Sequence, residues 1–121
     1  MNFCWVTLNV KNMENSLKFY HEILGLKISA QFNAGEDREI VMLGEENGAK
    51  VELIHNKKQS LSSKAERLSI GFEVGSIDEA MELCKNNNIQ IKSGPISPNP
   101  LTTFFFIEDP DGIEVQLVQH K

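Results

Sequence analysis

The sequence is short of the residues that mark several large protein classes. It has two cysteines, Cys4 and Cys84, outside any CxxC motif, so two free thiols are expected rather than a disulfide framework. Lysine and arginine number 12 against 17 acidic residues, and the formal net charge of -5 argues against nucleic acid, whose phosphates need clustered cations. No apolar run is long enough to cross a bilayer, and Met1–Val6 lacks a signal-peptide pattern. We therefore expect a cytoplasmic protein with no nucleic-acid partner and no membrane partner.

The composition is that of one globular domain. Hydrophobic residues make up 40% of the chain and charged residues 24%, which is typical of folded rather than disordered proteins. A length of 121 residues suffices for one domain with a core and is too short for two ordinary domains. We expect a single domain over residues 1–121.

The strongest structural signal in the sequence is an internal repeat. Its two copies align at an offset of 64 residues, which places residue 69 on residue 5. Trp5–Val10 and Ser69–Val74 both place apolar residues at every second position, the pattern of a strand with one apolar face. At the same offset, the strand-like segment 51–54 falls on 115–118. Agreement of several elements at one offset predicts two copies of one structural unit.

A helix is predicted after the first strand of each copy. Asn12 and Ser76 are good helix N-caps, and Ser76 with Glu79 has the spacing of a capping box. Apolar residues then recur at i, i+4 and i+7 in both copies, which is typical of one face of an amphipathic helix. The first helix should end near Leu24-Gly25 and the second in the asparagine-rich segment 86–88.

Weaker strand signals and turns complete each copy. The strand candidates are Leu26–Phe32, Ile40–Leu43, Ile89–Lys92 and Thr103–Ile107. Turns are predicted at residues 33–35, 46–48, Gly94-Pro95 and 109–112, where glycine, proline, asparagine and aspartate gather.

The elements together predict an α+β fold of two tandem β-α-β-β-β modules related by pseudo-twofold symmetry. Module 1 covers about residues 1–56, a polar linker about 57–67, and module 2 about 68–121. We expect the two curved mixed sheets to enclose a cleft.

Each predicted sheet has an aliphatic face, which the helix should cover, and a second face of mixed polar, small and aromatic character. Sheets often leave such a face to solvent, but two of them can also form a pocket with apolar walls and a few placed polar groups. The mixed faces carry Trp5, Thr7, Asn9, Glu52 and Ile54 in the first copy and Ser69, Gly71, Glu73, Glu114, Gln116 and Val118 in the second.

Three segments resemble the vicinal oxygen chelate superfamily, which includes glyoxalase I, extradiol dioxygenases, fosfomycin-resistance enzymes and bleomycin-binding resistance proteins. They are the run Val6-x-Leu-x-Val-x-Asn-x-x-x-Ser-x-x-Phe-Tyr-x-x-x-Leu-Gly-Leu26, the strand Gly71–Val74, and residues 109–112 followed by 114–117. The resemblance covers nearly the whole chain and implies the glyoxalase-like fold described above. It is a poor guide to activity, because one fold supports many functions.

The resemblance also implies where a metal would bind. In metal-dependent members each module supplies two ligands, usually His and Glu, to a divalent cation in the cleft. The corresponding positions here are Trp5, Glu52, Ser69 and Gln116. Glu52 alone is a good ligand, because an indole N–H only donates and neutral Ser and Gln oxygens bind weakly. The histidines, which are His21, His55 and His120, are expected at surface or edge positions. We expect no metal and no cofactor.

The first functional hypothesis is a metal-free binding module for a small, partly aromatic ligand. Trp5 supplies a stacking surface, and Glu52 supplies a charge for a cationic or donor-rich group. Glu73 and Glu114 are expected as solvated rim charges or as partners for polar ligand atoms. A carboxylate cluster of these two residues with Glu52, able to bind a metal, is a minor alternative. The residues assigned to ligand binding are Trp5, Thr7, Asn9, Glu52, Ser69, Glu73 and Gln116.

The alternative hypothesis is a glyoxalase-type lyase or isomerase, similar to lactoylglutathione lyase. Glu52 would then be the catalytic general base, taking a proton alpha to a carbonyl. Without a metal, the remaining donors would have to stabilise the enediolate by several kcal/mol themselves. Two further alternatives stay open, namely that Trp5 only fills space and that the protein has a structural role. In each case we expect a twofold homodimer, the commonest closed symmetry.

Overall fold

The computed structural model describes residues 1–61 and 67–121. The chain divides into two compact units, Met1–Ser63 and Lys64–Lys121. Each unit holds one four-stranded mixed sheet and one helical segment, which confirms the predicted α+β class. The pseudo-twofold relation, the shared cleft and the single-domain boundaries stay predictions.

The first unit follows the predicted β-α-β-β-β order. Its strand order is β1-β4-β3-β2, with β1 parallel to β4 and the other neighbours antiparallel. Its elements are β1 (Trp5–Asn9), α1 (Met13–Leu17), a π-helical segment (Lys18–Ile23), β2 (Ile28–Ala34), β3 (Arg38–Leu43) and β4 (Lys50–Asn56).

The second unit repeats this topology. Its strand order is β5-β8-β7-β6, and β5 is parallel to β8. Its elements are β5 (Ser69–Glu73), α2 (Ile77–Asn86), β6 (Ser93–Asn99), β7 (Thr102–Glu108) and β8 (Glu114–His120).

Both helices begin where the sequence predicts. The amide of Asn15 donates to Asn12 Oδ1 at 2.8 Å, and the amide of Glu79 donates to Ser76 Oγ at 3.2 Å. These side-chain oxygens satisfy amides that have no partner inside a first helical turn. The first helical segment ends before Gly25, whose φ of 80° is the left-handed conformation that glycine adopts without strain.

The predicted single first helix is in fact an α-helix that continues as a π-helix. The bond from the amide of Leu24 to the carbonyl of Phe19, at 2.9 Å, is of the i to i-5 type. The neighbouring rings of Phe19 and Tyr20 are both buried in this segment and meet edge to face, with centroids 4.8 Å apart. The i, i+4, i+7 pattern had not distinguished this packing from a regular helix.

The strand predicted at Ile89–Lys92 is wrong, and the strand at this place is β6, Ser93–Asn99. The amide of Ile89 still bonds to the carbonyl of Cys84 at 2.8 Å, and Asn88 has a φ of 58°. Residues 89–92 are therefore the exit from α2 and the approach to β6. Gly94-Pro95, predicted as a turn, lies within β6.

The first sheet buries most of its aliphatic face, as predicted, whereas in the second unit Ile70, Phe72 and Val74 are only half-buried. In the first unit Leu8 and Leu53 are buried, as are Met13 and Tyr20 of the helical segment. In the second unit Leu117 is buried. Burying one such side chain is worth about 1.5–3 kcal/mol before conformational entropy is charged. The other buried residues of these faces are Val41, Leu43, Val51, Phe105, Ile107 and Val115. Val10, which follows β1, and Ile40, which lies on the other face of β3, are also buried.

The predicted linker, about 57–67, lies partly outside the described residues, which omit 62–66. Its beginning is attached to the β2–β3 turn, because the amide of Lys57 donates to the carbonyl of Asp37 at 2.8 Å. Lys58 Nζ also lies 3.3 Å from Asp37 Oδ2. Within residues 1–61 and 67–121, no helix has the length and apolar character needed to span a membrane.

Candidate ligand-binding faces

The mixed face of the first sheet is built on β1 and β4. The parallel register sets Thr7 opposite Glu52 and Asn9 opposite Ile54. Trp5 lies at the start of β1 and is 51% exposed, whereas Leu8, on the other face of the strand, is buried. The structure thus places the first-copy candidates on one face, as the alternation predicts.

Glu52 is held in place by its neighbour on β1. Thr7 Oγ1 donates a hydrogen bond to Glu52 Oε1 at 2.7 Å. The second oxygen, Oε2, has no hydrogen-bond partner within the described parts of the chain. Glu52 is half-buried. The hydrogen bond from Thr7 thus holds the Glu52 side chain through one of its two carboxylate oxygens.

The outer strands add apolar residues to this face that the sequence analysis missed. Met42 on β3 pairs with Glu52, and Ile40 pairs with Ile54. Phe32 on β2 pairs with Ile40 and is 49% exposed. The signal that identifies them is the strand register, which cannot be assigned from strands as weakly patterned as β2.

The mixed face of the second sheet carries the neutral side-chain amide of Gln116 next to Gly71, which has no side chain. Gln116 on β8 is half-buried and pairs with Gly71 on β5. A β-carbon at Gly71 would lie 3.6 Å from Gln116 Oε1, an ordinary contact, so glycine leaves room over the sheet here. Ser69 at the start of β5 and Glu114 opposite it are exposed. This surface therefore carries hydrogen-bond donors and acceptors from Ser69, Glu114 and Gln116.

Two phenylalanines also lie on the second mixed face, and the sequence analysis missed them. Phe104 and Phe106 on β7 pair with Val118 and Gln116. Their rings meet edge to face with centroids 5.6 Å apart, while Phe105 between them is fully buried on the other face. The uninterrupted run Phe104–Ile107 hides this alternation. The repeat reveals it, because an offset of 64 places residues 104 and 106 on residues 40 and 42.

Glu73 has a partner that the sequence did not predict. His120 Nδ1 lies 2.7 Å from Glu73 Oε2, between two exposed side chains at one end of the second sheet. An exposed pair of this kind contributes little to stability. The interpretation of Glu73 as an unengaged rim charge is therefore incomplete, since a ligand that binds Glu73 would compete with His120.

The comparisons with known proteins are consistent with this geometry. The sequence model of the Glyoxalase/Bleomycin resistance protein/Dioxygenase superfamily matches residues 3–117. The chain belongs to this superfamily. Lactoylglutathione lyase of Neisseria meningitidis serogroup A is 32% identical over 134 residues, covering 100% of this chain and 92% of that protein. Lactoylglutathione lyase of Haemophilus influenzae is 26% identical over 133 residues, covering 100% and 94%.

Solved structures of the superfamily share the fold. Glyoxalase I of Leishmania major superposes with a TM-score of 0.84 at 24% identity, covering 98% of this chain and 86% of that chain. TnmS3, an antibiotic binding protein from Streptomyces sp. CB03234, superposes with a TM-score of 0.75 at 17% identity, covering 100% and 97%. One fold thus serves an enzyme and a binding protein, so the function must be argued from the side chains.

The residues at the superfamily's metal-ligand positions do not fit a divalent cation. Trp5 can only donate, Ser69 and Gln116 are neutral, and one oxygen of Glu52 already accepts from Thr7. In the part of the chain that the structure describes, no three His, Cys, Asp or Glu side chains come together in a group that could hold a metal. We therefore derive no chemistry through a metal ion.

Two of the three histidines and one of the two cysteines lie in structural positions. His21 Nδ1 is 2.7 Å from the carbonyl of Leu26, and His55 Nδ1 is 3.1 Å from that of Val10. Both histidines are half-buried rather than on the surface. Cys4 and Cys84 are free, and burial raises the pKa of the Cys84 thiol, which keeps it protonated and unreactive.

Proposed function

We propose that this superfamily member binds a small, partly aromatic molecule on its mixed faces and does so without a metal ion. The observation that carries the proposal is the half-exposed indole of Trp5, at a position where the metal-dependent resemblance expects a ligand. A large aromatic side chain left on a polar sheet face is typical of a contact surface. In this proposal the Trp5 ring stacks on the bound molecule, at the position where a metal-dependent member would have a metal ligand.

The polar groups of the same faces support a cationic or donor-rich ligand. Glu52 offers one carboxylate oxygen beyond its bond with Thr7, and Gln116 offers both a donor and an acceptor beside Gly71. The phenylalanines Phe104 and Phe106 add apolar area next to that amide. Apolar walls with a few placed polar groups are what small-molecule sites usually contain. The chain's net charge of -5 also favours a positively charged ligand.

The proposal predicts that a ligand changes the emission of Trp5. Trp5 is the only tryptophan, so intrinsic tryptophan emission reports one place in the molecule. Titration with a panel of planar aromatic cations should quench or shift this emission and saturate for at least one member. Isosteric neutral compounds are the control, and they should bind more weakly because they lose the attraction of Glu52. If no compound in either series changes the emission saturably, the binding proposal is wrong.

A second candidate function is a lyase of the lactoylglutathione type. The observations that favour it are the lactoylglutathione lyase relatives, at 26–32% identity, and the retained carboxylate of Glu52. Glu52 would act as the general base. The resulting enediolate needs several kcal/mol of stabilisation, which the neutral groups of Ser69 and Gln116 supply poorly. We therefore place this function second.

Metal content tests the metal-free part of the proposal. Protein purified without chelators is expected to contain well under one equivalent of nickel, zinc, iron, manganese or cobalt by elemental analysis, because Glu52 is the only strong ligand of the corresponding set. The Glu52→Gln variant, prepared in parallel, gives the background from adventitious binding. One equivalent of metal in the native protein that is lost in Glu52→Gln would contradict the metal-free proposal and favour the lyase.

A further inference from the structure

The outer edge of the first sheet is open along β2. β2 pairs with β3 on one side, and no strand pairs with its other side within residues 1–61 and 67–121. All five residues of the segment 29–33 are exposed. Such an edge presents a row of backbone N–H and C=O groups that pairs readily with another strand.

The equivalent edge of the second sheet, along β6, is protected against pairing with a further strand, whereas the edge along β2 is not. β6 contains Pro95 and Pro98, and its pairing with β7 is interrupted by two register shifts. Proline cannot donate a backbone hydrogen bond, and irregular pairing bends a strand away from a potential partner. β2 has no proline and no charged residue, and its one register shift lies at its beginning. The protections that natural sheets place on exposed edges are absent from β2.

The sequence of β2 is complementary to itself when it is read in the antiparallel direction. With Gln31 at the centre, Ala30 falls opposite Phe32, and Ser29 falls opposite Asn33. Every apolar residue then meets an apolar residue, every polar residue meets a polar one, and no like charges oppose each other. The large ring of Phe32, which is 49% exposed, meets a small partner that leaves it space.

We infer that β2 pairs antiparallel with β2 of a second copy of this chain, across a twofold axis at Gln31. The two four-stranded sheets then continue as one sheet of eight strands. β2 suits this pairing better than the opposite edge strand, β1, which is five residues long rather than seven and has Leu8 buried. The inference names the surface that forms the expected homodimer and does not depend on ligand binding.

The test places like charges on the axis. The native protein is expected to be a dimer at micromolar concentration by sedimentation velocity. Gln31→Lys should raise the dimer dissociation constant by about fivefold or more, because two lysines then oppose each other directly. Gln90→Lys is the matched control, since Gln90 is exposed in the second unit and the charge change is the same. It should leave the dissociation constant within about twofold of the native value.

A mixture of two variants tests whether Gln31 lies opposite its own copy in the dimer. It also tests whether the variant chains are still folded, because only folded chains can form the dimer again. Gln31→Lys and Gln31→Glu should each dissociate when alone, and an equimolar mixture should recover a dimer, because opposite charges then meet on the axis. A native monomer at micromolar concentration would contradict the inference. So would an unchanged dimer in Gln31→Lys, or no recovery in the mixture. Trp5 emission measures ligand binding separately, so either proposal can fail alone.

Discussion

Replacing Phe105 with alanine is expected to lower the free energy of unfolding by about 3–5 kcal/mol. Phe105 is 0% exposed, and it pairs across β7 and β8 with Leu117, which is also buried. Removing the ring loses its transfer free energy and leaves a cavity that neighbouring side chains fill only in part. Urea denaturation followed by far-ultraviolet circular dichroism measures the change, with the slope against urea used to check that cooperativity is kept.

The matched control is Phe104→Ala, the same substitution one residue earlier. Phe104 is half-buried on the mixed face, where its ring meets that of Phe106 edge to face. We expect a loss of less than about 2 kcal/mol from this site. Equal losses at the two positions would mean that both rings are core residues, and the second mixed face would then lose its apolar part.

The strands with clear alternation could be predicted from the sequence because their pattern is set by burial on one face. Val6, Leu8 and Val10 alternate with Trp5, Thr7 and Asn9, and the structure buries the aliphatic set to a greater extent than the other. The helix starts could also be predicted, since a side-chain oxygen at Asn12 or Ser76 satisfies a local need that does not depend on tertiary contacts. The 64-residue offset extended these local signals into a topology.

Elements that depend on pairing partners could not be predicted in this way. The run Phe104–Ile107 is apolar at every position, so the face of each residue is settled by its register with β8 and not by its own pattern. Ile89–Lys92 has a strand-like composition but is occupied by the exit from α2. The bond between Glu73 and His120 joins residues 47 positions apart. Each of these depends on contacts distant in sequence.

Of the candidate site, the sequence could predict which residues share a face but not how they are held. The alternation placed Thr7 and Glu52 on one face, yet their hydrogen bond follows from the parallel register between β1 and β4. That register puts a hydroxyl within reach of a carboxylate, so one oxygen of Glu52 already accepts a hydrogen bond from within the protein. The negative charge of Glu52 on this face could be predicted from the sequence, but the orientation of its carboxylate could not.

Replacing Trp5 with alanine is expected to weaken the binding of an aromatic ligand by about 1–3 kcal/mol, roughly a fivefold to 150-fold rise in Kd, without unfolding the protein. The indole is half-exposed, so its removal leaves no closed cavity, and stability should fall by less than about 1 kcal/mol. Because this variant has no tryptophan, isothermal titration calorimetry measures its affinity for a compound that saturates the Trp5 emission of the native protein.

Trp5→Phe is the control that separates stacking from mere space filling. A phenyl ring keeps a smaller aromatic face, so we expect an affinity between those of the native protein and Trp5→Ala. If Trp5 only filled space, Trp5→Ala would instead cost about 3–5 kcal/mol of stability, as predicted for Phe105→Ala, and the affinity series would show no order. A melting curve of each variant, measured beside the titrations, distinguishes these results. A large stability loss with unchanged ligand affinity would refute the proposed role of Trp5.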